Sequence, residues 1–500
     1  MQYVIGIDLG TSAVKALLLD REGRVCGEAS EHYPLIQEKP GYNEQDPELW
    51  VTATIAALRS LVRGAGVDPR EVGGIGFSGQ MHGLVLLDAQ RKTLRNAILW
   101  NDTRTTEQCR EIEAKLGERL LAVARNRALE GFTLPKLLWV KHCEPELFAK
   151  ADVFVLPKDY VRYRLTGHIA TDYSDAAGTL LLDVTGKRWS GEIAGAFGLA
   201  ESLCPPLVES HAKVGTLLPA VAAATGLPET VGVFAGGADN ACGAIGAGIL
   251  SAGETLCSIG TSGVVLSYVE GGGEADYGGR LHVFNHGKQD AFYAMGVTLA
   301  AGYSLTWFKE TFAPGVPFEE LLKGLEETEP GAGGLLFAPY LVGERTPHAD
   351  ALIRASFVGM DASHRLPHFT RAVVEGITFS LKQSLDILRS AGHEVRSLVS
   401  IGGGAKNDRW LQMQADIFGA DIRRLESEQG PALGAAMLAA YGCGLFASLA
   451  ECASAFIKRS GTYRPRPEQS ARYAGLFDVY GRVYEQTKPL SESLSAFRAR

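Results

Sequence analysis

The sequence contains one short pattern twice, about 250 residues apart. Each copy predicts a buried strand, a tight polar turn and a second strand: YVIGIDLGTSAVKALLLD near the start, and ETLCSIGTSGVVLSYV after the middle. The turn residues are Gly10, Thr11 and Ser12 in the first copy and Gly260, Thr261 and Ser262 in the second. This spacing far exceeds the roughly 20–50 residues of solenoid repeats, so it indicates two duplicated domains.

Each half is predicted to be one α/β domain. The first half reads β-β-β-α-β, and VGGIGFSGQM occupies the same position there as LVSIGGGAKN does in the second half. Aligning the turns sets Asp8 against Ser258 and Lys15 against Val265. We place the domains at residues 1–245 and 246–500, with terminal helices after about residue 450 and a ligand cleft between the two lobes.

Charge and hydropathy exclude several classes of protein. The 57 acidic and 49 basic residues give a net charge of −8, without a basic run that could follow a phosphate backbone, so no nucleic-acid partner is expected. Two uncharged stretches, 291–308 and 432–450, approach the length of a membrane span. Small residues dominate both, so they are predicted to be buried helices, with no membrane contact.

The eight cysteines are scattered, without a CxxC pair, and no export signal precedes the first strand. Both features are typical of a reduced, cytoplasmic protein.

The segment GIDLGTSAVK predicts a phosphate-binding turn. Asp8 ends a strand, where a carboxylate can hold hydrated Mg²⁺, while backbone amides and hydroxyls of the turn and the Lys15 ammonium can contact phosphates. An ordinary hairpin turn is the alternative, but the second turn at 260–262 favours a clamp around a polyphosphate. No Walker-type loop is present.

The segment GGADNACGAIGAG places Asp239 and Asn240 just before a small-residue helix. A carboxylate at this junction could be the general base that accepts a substrate hydroxyl proton during phosphoryl transfer. A helix N-cap is the simpler alternative for Asp239.

Two further loops carry groups that suit the hydroxyls and C–H faces of a small polyol. FSGQMHG and ILWNDTR each follow an apolar strand, and their candidate substrate-binding residues are Gln80, Met81, His82, Trp100 and Asp102. Taken alone, His82 is more often a structural histidine.

The segment IGGGAKN runs from a strand into three glycines, where a flat ring can lie close to the backbone. It is a candidate adenine or ribose site formed by Gly402, Gly403, Gly404, Ala405 and Asn407. A dinucleotide site is the alternative, but the GxGxxG spacing is missing.

Nine segments together resemble the FGGY carbohydrate kinases in sequence and in order: GIDLGTSAVK, GFSGQMHG, ILWNDTR, PKLLWV, LPKDY, GGADNA, SIGTSG, YLVGERTPH and IGGGAKN. The resemblance implies a ribonuclease H-like, actin-like fold in each half, with ATP and Mg²⁺ as cofactors. It implies Asp239 as proton acceptor, Asp8 at the metal and phosphates, Met81 and His82 on the sugar, and residues 402–405 near the nucleotide. The contact of Lys15 with phosphate rests chiefly on charge and spacing.

The QMHG and WND forms resemble the branch of the family that acts on xylulose. The expected reaction is therefore transfer of the γ-phosphoryl group of ATP to O5 of D-xylulose. Kinase action on ribulose, an alditol or another polyol is the alternative, because one or two pocket residues can change the acceptor.

A sugar-responsive protein that binds ATP without catalysis is disfavoured because both Asp8 and Asp239 are present, and an actin-like ATPase that moves a partner is disfavoured because nothing in the sequence resembles a polymer-contact insertion. Exposed helices on a two-lobed chain are compatible with a homodimer.

Overall fold

The computed structural model describes residues 2–271 and 275–498. The helices and strands up to residue 246 are β1 (Tyr3–Leu9), β2 (Ala13–Asp20), β3 (Val25–His32), β4 (Glu44–Gln45), α1 (Pro47–Gly64), β5 (Val72–Gly79), β6 (Val85–Leu87), β7 (Ala97–Ile98), α2 (Thr106–Leu116), α3 (Glu118–Ala124), α4 (Thr133–Cys143), α5 (Pro145–Phe148), β8 (Val153–Val155), α6 (Pro157–Thr166), β9 (Thr171–Asp172), α7 (Tyr173–Ala177), β10 (Leu182–Asp183), β11 (Arg188–Trp189), α8 (Gly191–Ala196), β12 (Leu207–Val208), β13 (Lys213–Thr216), α9 (Pro219–Thr225), β14 (Gly232–Phe234), β15 (Gly237–Ala238) and α10 (Asp239–Gly246).

The elements after residue 246 are β16 (Glu254–Ile259), β17 (Gly263–Glu270), β18 (His282–Asn285), β19 (Ala291–Thr298), α11 (Gly302–Phe312), α12 (Phe318–Leu321), α13 (Gly324–Glu327), β20 (Leu336–Ala338), β21 (Ser356–Val358), α14 (Leu366–Ser390), β22 (Ser397–Gly402), α15 (Asp408–Phe418), β23 (Asp421–Leu425), α16 (Pro431–Gly442), α17 (Leu449–Phe456), β24 (Arg459–Tyr463), α18 (Pro467–Tyr480) and α19 (Val483–Ser495).

The two large sheets repeat one topology, which confirms the duplication. The first sheet has the order β3-β2-β1-β5-β14-β13, and the second has the order β19-β17-β16-β22-β23-β24, with β18 beyond β19. In each, the first three strands of the pattern are antiparallel, whereas β1 and β16 pair in parallel with β5 and β22. The expected ribonuclease H-like fold of each half is therefore confirmed.

The two hairpin turns differ in length by one residue. Leu9 pairs with Val14 across the first turn, whereas Ile259 pairs with Gly263 across the second. Counted from the paired ends, Ser258 takes the place of Asp8 as expected, but Val264 rather than Val265 takes the place of Lys15. An alignment on the G-T-S letters cannot detect this difference, because the deletion lies after them.

The predicted helix at 432–450 is α16 through Gly442, but the prediction for 291–308 was wrong in its first half. Residues 291–298 form the buried strand β19, and the helix α11 begins only at Gly302. An uncharged stretch indicates burial and cannot by itself separate a central strand from a helix. Within the described residues, no helix is long and apolar enough to cross a membrane.

Helix α16 belongs to the second half of the chain but packs on the first sheet. A Cβ atom on Gly76 would collide with the carbonyl oxygen of Ala435, and one on Gly6 would collide with that of Ala432. Helix α16 also crosses α10, where Gly434 lies against the carbonyl oxygen of Cys242. These glycines let three backbones approach more closely than any side chain would allow. The boundary at 245/246 stays a prediction, since α16 joins the two halves.

We predict that Gly76→Ala lowers the melting temperature, with a loss of about 1–3 kcal/mol in the free energy of unfolding, because α16 must move away from β5. Thermal unfolding followed by circular dichroism measures this change. Gly475→Ala in α18 is the matched control: its Cβ would meet no atom within 4 Å, and alanine favours the helix. Equal melting temperatures for Gly76→Ala and the wild type would contradict the close packing.

Candidate active site

Two carboxylates lie at one edge of the first sheet, at the ends of the two strands that flank β5. β5 pairs in parallel with β1, which sets Asp8 beside Ser78, and with β15, which sets Gly237 beside Ser78. Asp239 follows β15 directly. Because adjacent strands lie about 4.8 Å apart, Asp8 and Asp239 reach the same edge of the sheet about two strand spacings from each other.

Asp239 is the first residue of α10 and not its N-cap, which is Ala238. Its Oδ1 accepts hydrogen bonds from the backbone and side-chain amides of Asn240, at 2.7 and 3.1 Å, and its Oδ2 accepts none from the described residues. Burial, aided by the negative charge of Asp8, raises the pKa of Asp239 to about 7. A carboxylate with this pKa can accept and release a proton at neutral pH.

Asp8 is a candidate ligand for a metal ion. Burial raises its pKa, and the nearby Ser78 hydroxyl and Lys15 ammonium oppose that rise. Its Oδ1 is buried and has no hydrogen-bond partner among the described residues. An unpartnered buried carboxylate oxygen is costly, which indicates that something outside the chain completes it.

Side chains outside the first turn, residues 10–12, hold its backbone in place through hydrogen bonds. The Tyr33 hydroxyl donates to the carbonyl of Gly10 at 2.5 Å, and the Gln45 amide donates to the carbonyl of Thr11 at 2.7 Å. Trp100, which is 45% exposed, donates its indole N–H to Thr11 Oγ1 at 3.0 Å. The hydroxyl of Thr11 thus accepts a hydrogen bond from a neighbouring side chain, whereas the side chain of Ser12 is exposed to solvent.

Lys15 connects the two halves of the chain. Its Nζ donates to Gln429 Oε1 at 3.1 Å, in the segment that leads into α16, and lies 3.5 Å from a carboxylate oxygen of Glu28. On β2 it is the register partner of Asp8. The ammonium group of Lys15 therefore lies at the same edge of the sheet as Asp8. Its contact with phosphate stays a prediction.

His82 is fixed with one nitrogen free. Its Nδ1 lies 2.6 Å from the carbonyl oxygen of Gly178, which can only accept, so Nδ1 carries the proton. Burial lowers the pKa of His82 to about 3 and keeps the ring neutral. Nε2 then presents a lone pair to a ligand hydroxyl, so a structural hydrogen bond and a ligand contact are both available to this residue. The preceding residue, Met81, contacts the Asn240 amide through Sδ at 3.5 Å.

Gln80 and Asp102 lie deeper than a sugar contact requires. Gln80 is buried behind the first turn, with its amide 3.5 Å from the carbonyl of Gly10. Asp102 is buried in a two-pronged ion pair with Arg104 and accepts the backbone N–H of Asn43 at 2.7 Å. Their binding roles stay predictions, and the structure gives each a partner within the protein.

The second turn opens onto a cavity of about 960 Å³. Five predicted nucleotide contacts line it: Gly260, Thr261, Gly403, Gly404 and Asn407. The other three lie at its edge or behind it: Ser262 is exposed, the Gly402 amide donates to Glu428 at 2.9 Å, and Ala405 is buried. Asn407 also caps α15, since its Oδ1 accepts from the amides of Arg409 and Trp410 at 3.0 Å.

Side chains that sequence reasoning missed complete the cavity. The rings of Tyr303 and Phe318 are about two-fifths exposed, and both line the cavity together with Lys406. Exposed rings can stack on a flat base, and a cation can contact phosphate. The sequence signal was weak, because Tyr303 and Lys406 lie about 100 positions apart and no short segment contains all three residues.

The comparison with known proteins agrees with this geometry. Residues 3–246 match the N-terminal domain of the FGGY family of carbohydrate kinases, and residues 255–443 match its C-terminal domain. The chain belongs to this family. The resemblance read from the nine sequence segments is confirmed, and so is the assignment to sugar kinases that use ATP.

Individual relatives cover the whole chain. It is 62% identical over 498 residues to a xylulose kinase of Bacillus subtilis (strain 168), and the match covers 100% of both chains. A ligand-bound xylulose kinase structure from Lactobacillus acidophilus has a TM-score of 0.93 at 27% identity, covering 98% of this chain and 99% of that one. A gluconate kinase structure from the same organism also scores 0.93, at 28% identity and 99% coverage of each chain.

Two buried lysines, Lys136 and Lys158, contact the segments that carry the candidate site residues. Lys136, from the PKLLWV segment, is fully buried and donates to the carbonyls of His82 and Phe132 at 3.3 and 3.1 Å, and burial lowers its pKa to about 7. Lys158, from LPKDY, lies 2.8 Å from the carboxylate of Asp172, which also accepts the N–H of Ser174. The hydroxyl of Ser174 in turn accepts the N–H of Ala238, the residue before Asp239. The sequence singled out the segments PKLLWV and LPKDY, but it did not show which residues their lysines contact.

We predict that Asp239→Asn stabilises the ligand-free protein above pH 7 and that the gain disappears below about pH 4. Above pH 7 the folded protein must keep a buried carboxylate ionised, whereas below the unfolded value of 3.8 both states are protonated. Melting temperatures at pH 8 and pH 4 measure the difference. Asp478→Asn, at an exposed carboxylate of α18, is the matched control and should change neither value. A pH-independent effect of Asp239→Asn would contradict the raised pKa.

Proposed function

We propose that this protein phosphorylates D-xylulose at O5 with ATP and releases D-xylulose 5-phosphate and ADP. The observation that carries the proposal is Asp239, a carboxyl group of near-neutral pKa on a helix start beside Asp8. The full-length identity of 62% to a xylulose kinase supports the choice of acceptor.

In this proposal the two halves divide the ligands. Residues 1–245 hold the sugar and the first phosphate turn, and residues 246–500 hold the nucleotide. The sugar contacts are Gln80, Met81, His82, Trp100, Asp102 and Asn240. The phosphate and nucleotide contacts are Gly10, Thr11, Ser12, Lys15, Gly260, Thr261, Ser262, Gly402, Gly403, Gly404, Ala405 and Asn407.

The transfer needs one proton acceptor and charge stabilisation. The O5 hydroxyl donates a hydrogen bond to Asp239 Oδ2, the oxygen that no described residue occupies. As O5 attacks the γ-phosphorus, Asp239 takes the hydroxyl proton and the bond to the β-bridging oxygen breaks, so ADP leaves with that electron pair. Closure of the lobes around the reactants excludes water, which would otherwise accept the phosphoryl group.

The donor set fits Mg²⁺. Asp8 has an unpartnered buried Oδ1, and no cluster of three or more potential protein ligands occurs in the described part of the chain. Mg²⁺ in kinases is typically held by one or two carboxylates plus phosphates and water, so Asp8 alone suffices on the protein side. Bound there, Mg²⁺ would neutralise charge on the phosphate oxygens of ATP.

Another acceptor is the alternative to D-xylulose. The gluconate kinase structure shares the whole fold at 28% identity, so fold similarity does not select the sugar. A protein that binds ATP and sugar without catalysis is disfavoured, because such a protein has no need to keep Asp8 and Asp239 as half-buried, mutually repelling carboxylates.

A panel of acceptors tests the proposed reaction. We expect ADP release to rise sharply with D-xylulose and to be at least about tenfold less efficient, in kcat/KM, with D-ribulose, xylitol, D-arabitol or gluconate, the usual scale for one or two changed contacts. A coupled ADP assay with Mg²⁺ and ATP gives the values. A higher kcat/KM for any other member of the panel would replace D-xylulose as the acceptor.

The control for catalysis is Asp239→Asn, which is nearly isosteric. We expect it to lose about 10²–10⁴-fold in kcat, the scale of general-base catalysis, and still to bind ATP and sugar in calorimetry. Near wild-type turnover would show that Asp239 is not the proton acceptor.

We also propose that the protein forms a homodimer through α19. Leu490 and Leu494, one helical turn apart, are 64% and 57% exposed, and an apolar stripe of this kind is self-complementary about a twofold axis. The double variant Leu490→Glu and Leu494→Glu should be monomeric in size-exclusion chromatography with light scattering. Val25→Glu, on the exposed edge strand β3, is the control and should leave the dimer intact. A monomeric wild type would refute the proposal.

A cytoplasmic location completes the proposal. The eight cysteines are free thiols, four of them buried, as expected in a reducing compartment that also supplies ATP.

A further inference from the structure

The start of α10, which carries Asp239, has no side-chain cap of its own. Its N-cap residue is Ala238, whose methyl group cannot accept the N–H groups of the first helical turn. Ala238 is fully buried and donates its own N–H to the hydroxyl oxygen of Ser174, at 3.0 Å. A side chain 64 positions away in the sequence therefore fixes the backbone directly before Asp239.

Asp172 holds this serine in place. As the N-cap of α7, Asp172 accepts through Oδ2 the N–H of Ser174 at 2.9 Å, and it also accepts the hydroxyl proton of Ser174. Because that proton points to Asp172, the lone pairs of the hydroxyl oxygen remain available to the N–H of Ala238. The same Oδ2 accepts the hydroxyl of Ser210 at 3.0 Å.

Ser210 links Asp172 to the same strand end at a second point. Its carbonyl oxygen accepts the N–H of Gly236 at 2.8 Å, two residues before Ala238. Gly236 has a left-handed φ of 74°, and a Cβ atom there would collide with the backbone of β5. The segment 236–238 is thus held at both ends by serines that Asp172 orients.

The carboxylate of Asp172 stays ionised in the protein interior because Lys158 compensates its charge. The Lys158 ammonium lies 2.8 Å from Asp172 Oδ1, and it also pairs with the buried carboxylates of Asp159 and Asp175, at 2.7 and 3.0 Å. Burial alone would raise the pKa of Asp172, but Lys158 and the two serine hydroxyls hold that pKa below its ordinary value. An ionised acceptor makes stronger hydrogen bonds than a neutral one, so Ser174 is firmly held.

The free oxygen of Asp239 depends on this support. Oδ1 is occupied by the backbone and side-chain amides of Asn240, whereas Oδ2 has no hydrogen-bond partner among the described residues. The position of Oδ2 is therefore set by the backbone of residues 238 and 239. A general base must lie about 2.6–3.2 Å from the hydroxyl oxygen whose proton it takes. A misplacement of about 1 Å can cost about 100-fold in rate.

We propose that Ser174 and Asp172 are positioning residues for the proton transfer, because through the N–H of Ala238 they set where Asp239 lies relative to the acceptor hydroxyl. Both side chains are fully buried, so they act on the reaction through Asp239. The inference rests on the proposed function of Asp239 as proton acceptor. It also gives the LPKDY segment a role, since Lys158 keeps Asp172 charged.

The test is Ser174→Ala, which removes the acceptor for the Ala238 N–H and adds no atom. We expect kcat with D-xylulose to fall about 10- to 100-fold, the scale of a misplaced reacting group. The KM values for D-xylulose and ATP should stay within about threefold, since no ligand contact is lost. Ser174→Cys, which keeps a weaker acceptor, should retain more turnover. The coupled ADP assay gives these values, and an unchanged kcat in Ser174→Ala would overturn the proposal.

Ser190→Ala is the matched control. Ser190 is also buried in the first half, and its hydroxyl likewise accepts one backbone N–H, that of Ile193 at 3.2 Å, at the start of α8. Both variants should melt at a lower temperature than the wild type, but only Ser174→Ala should lose turnover. An equal fall of kcat in the two variants would show a general structural effect and refute a positioning role.

A double-variant cycle shows whether Ser174 acts through Asp239. In the Asp239→Asn background, Ser174→Ala should change the residual kcat by less than about twofold, because no proton acceptor is left to misplace. If the double variant instead showed the full additional loss, Ser174 would affect turnover by another route and the proposal would be wrong.

Hydrogen exchange followed by mass spectrometry separates this inference from the proposed function, because it needs no turnover. In the ligand-free protein, Ser174→Ala should speed exchange in peptides that cover residues 236–241 and leave those of α1 unchanged. Unchanged exchange at 236–241 would overturn the inference whatever the activity. A wild type that does not phosphorylate D-xylulose would overturn the proposed function, and exchange would still decide whether Ser174 fixes this segment. A fully active Asp239→Asn would overturn both.

Discussion

The close approach of α10 and α16 to the first sheet is the contact on which the site depends. Gly76 and Gly434 remove the side chains that would hold these backbones apart. The result fixes the start of α10, and hence Asp239, at the same sheet edge as Asp8, and it attaches a helix of the second half to the first. Interiors are packed as densely as crystals, so such a contact transmits small displacements instead of absorbing them.

The second consequence is electrostatic. Burial makes the carboxylate of Asp239 costly to ionise, and the negative charge of Asp8, on the strand at the other side of β5, adds to that cost, so the pKa of Asp239 moves to about 7. A carboxyl group with a raised pKa lowers stability at neutral pH, and in the proposed mechanism the same shift lets Asp239 accept a proton there. Lys158 by contrast forms ion pairs with three buried carboxylates, and one of them, Asp172, also accepts from Ser174, whose hydroxyl accepts the N–H of Ala238 before Asp239.

The two halves contribute unlike chemistry from a common topology. The first keeps Asp8 at its strand end, whereas the second has Ser258 there, and its turn lines the cavity of about 960 Å³. Matches across both domains establish the family and the fold, and the full-length identity of 62% to a xylulose kinase supports the choice of acceptor.

The sequence by itself determined the duplication, the order of strands in the first half and the segments that carry the chemistry, because alternation, turns and short motifs are written in neighbouring residues. The pattern predicted a helix at 291–298, where the structure has a strand, and it aligned Lys15 with Val265 instead of Val264. Both errors arise because burial and register depend on the partner strands. Only the tertiary structure placed α16 on the first sheet and raised the pKa of Asp239. Each of these arises between residues more than 150 positions apart, where distance, desolvation and charge are set by packing and not by local pattern.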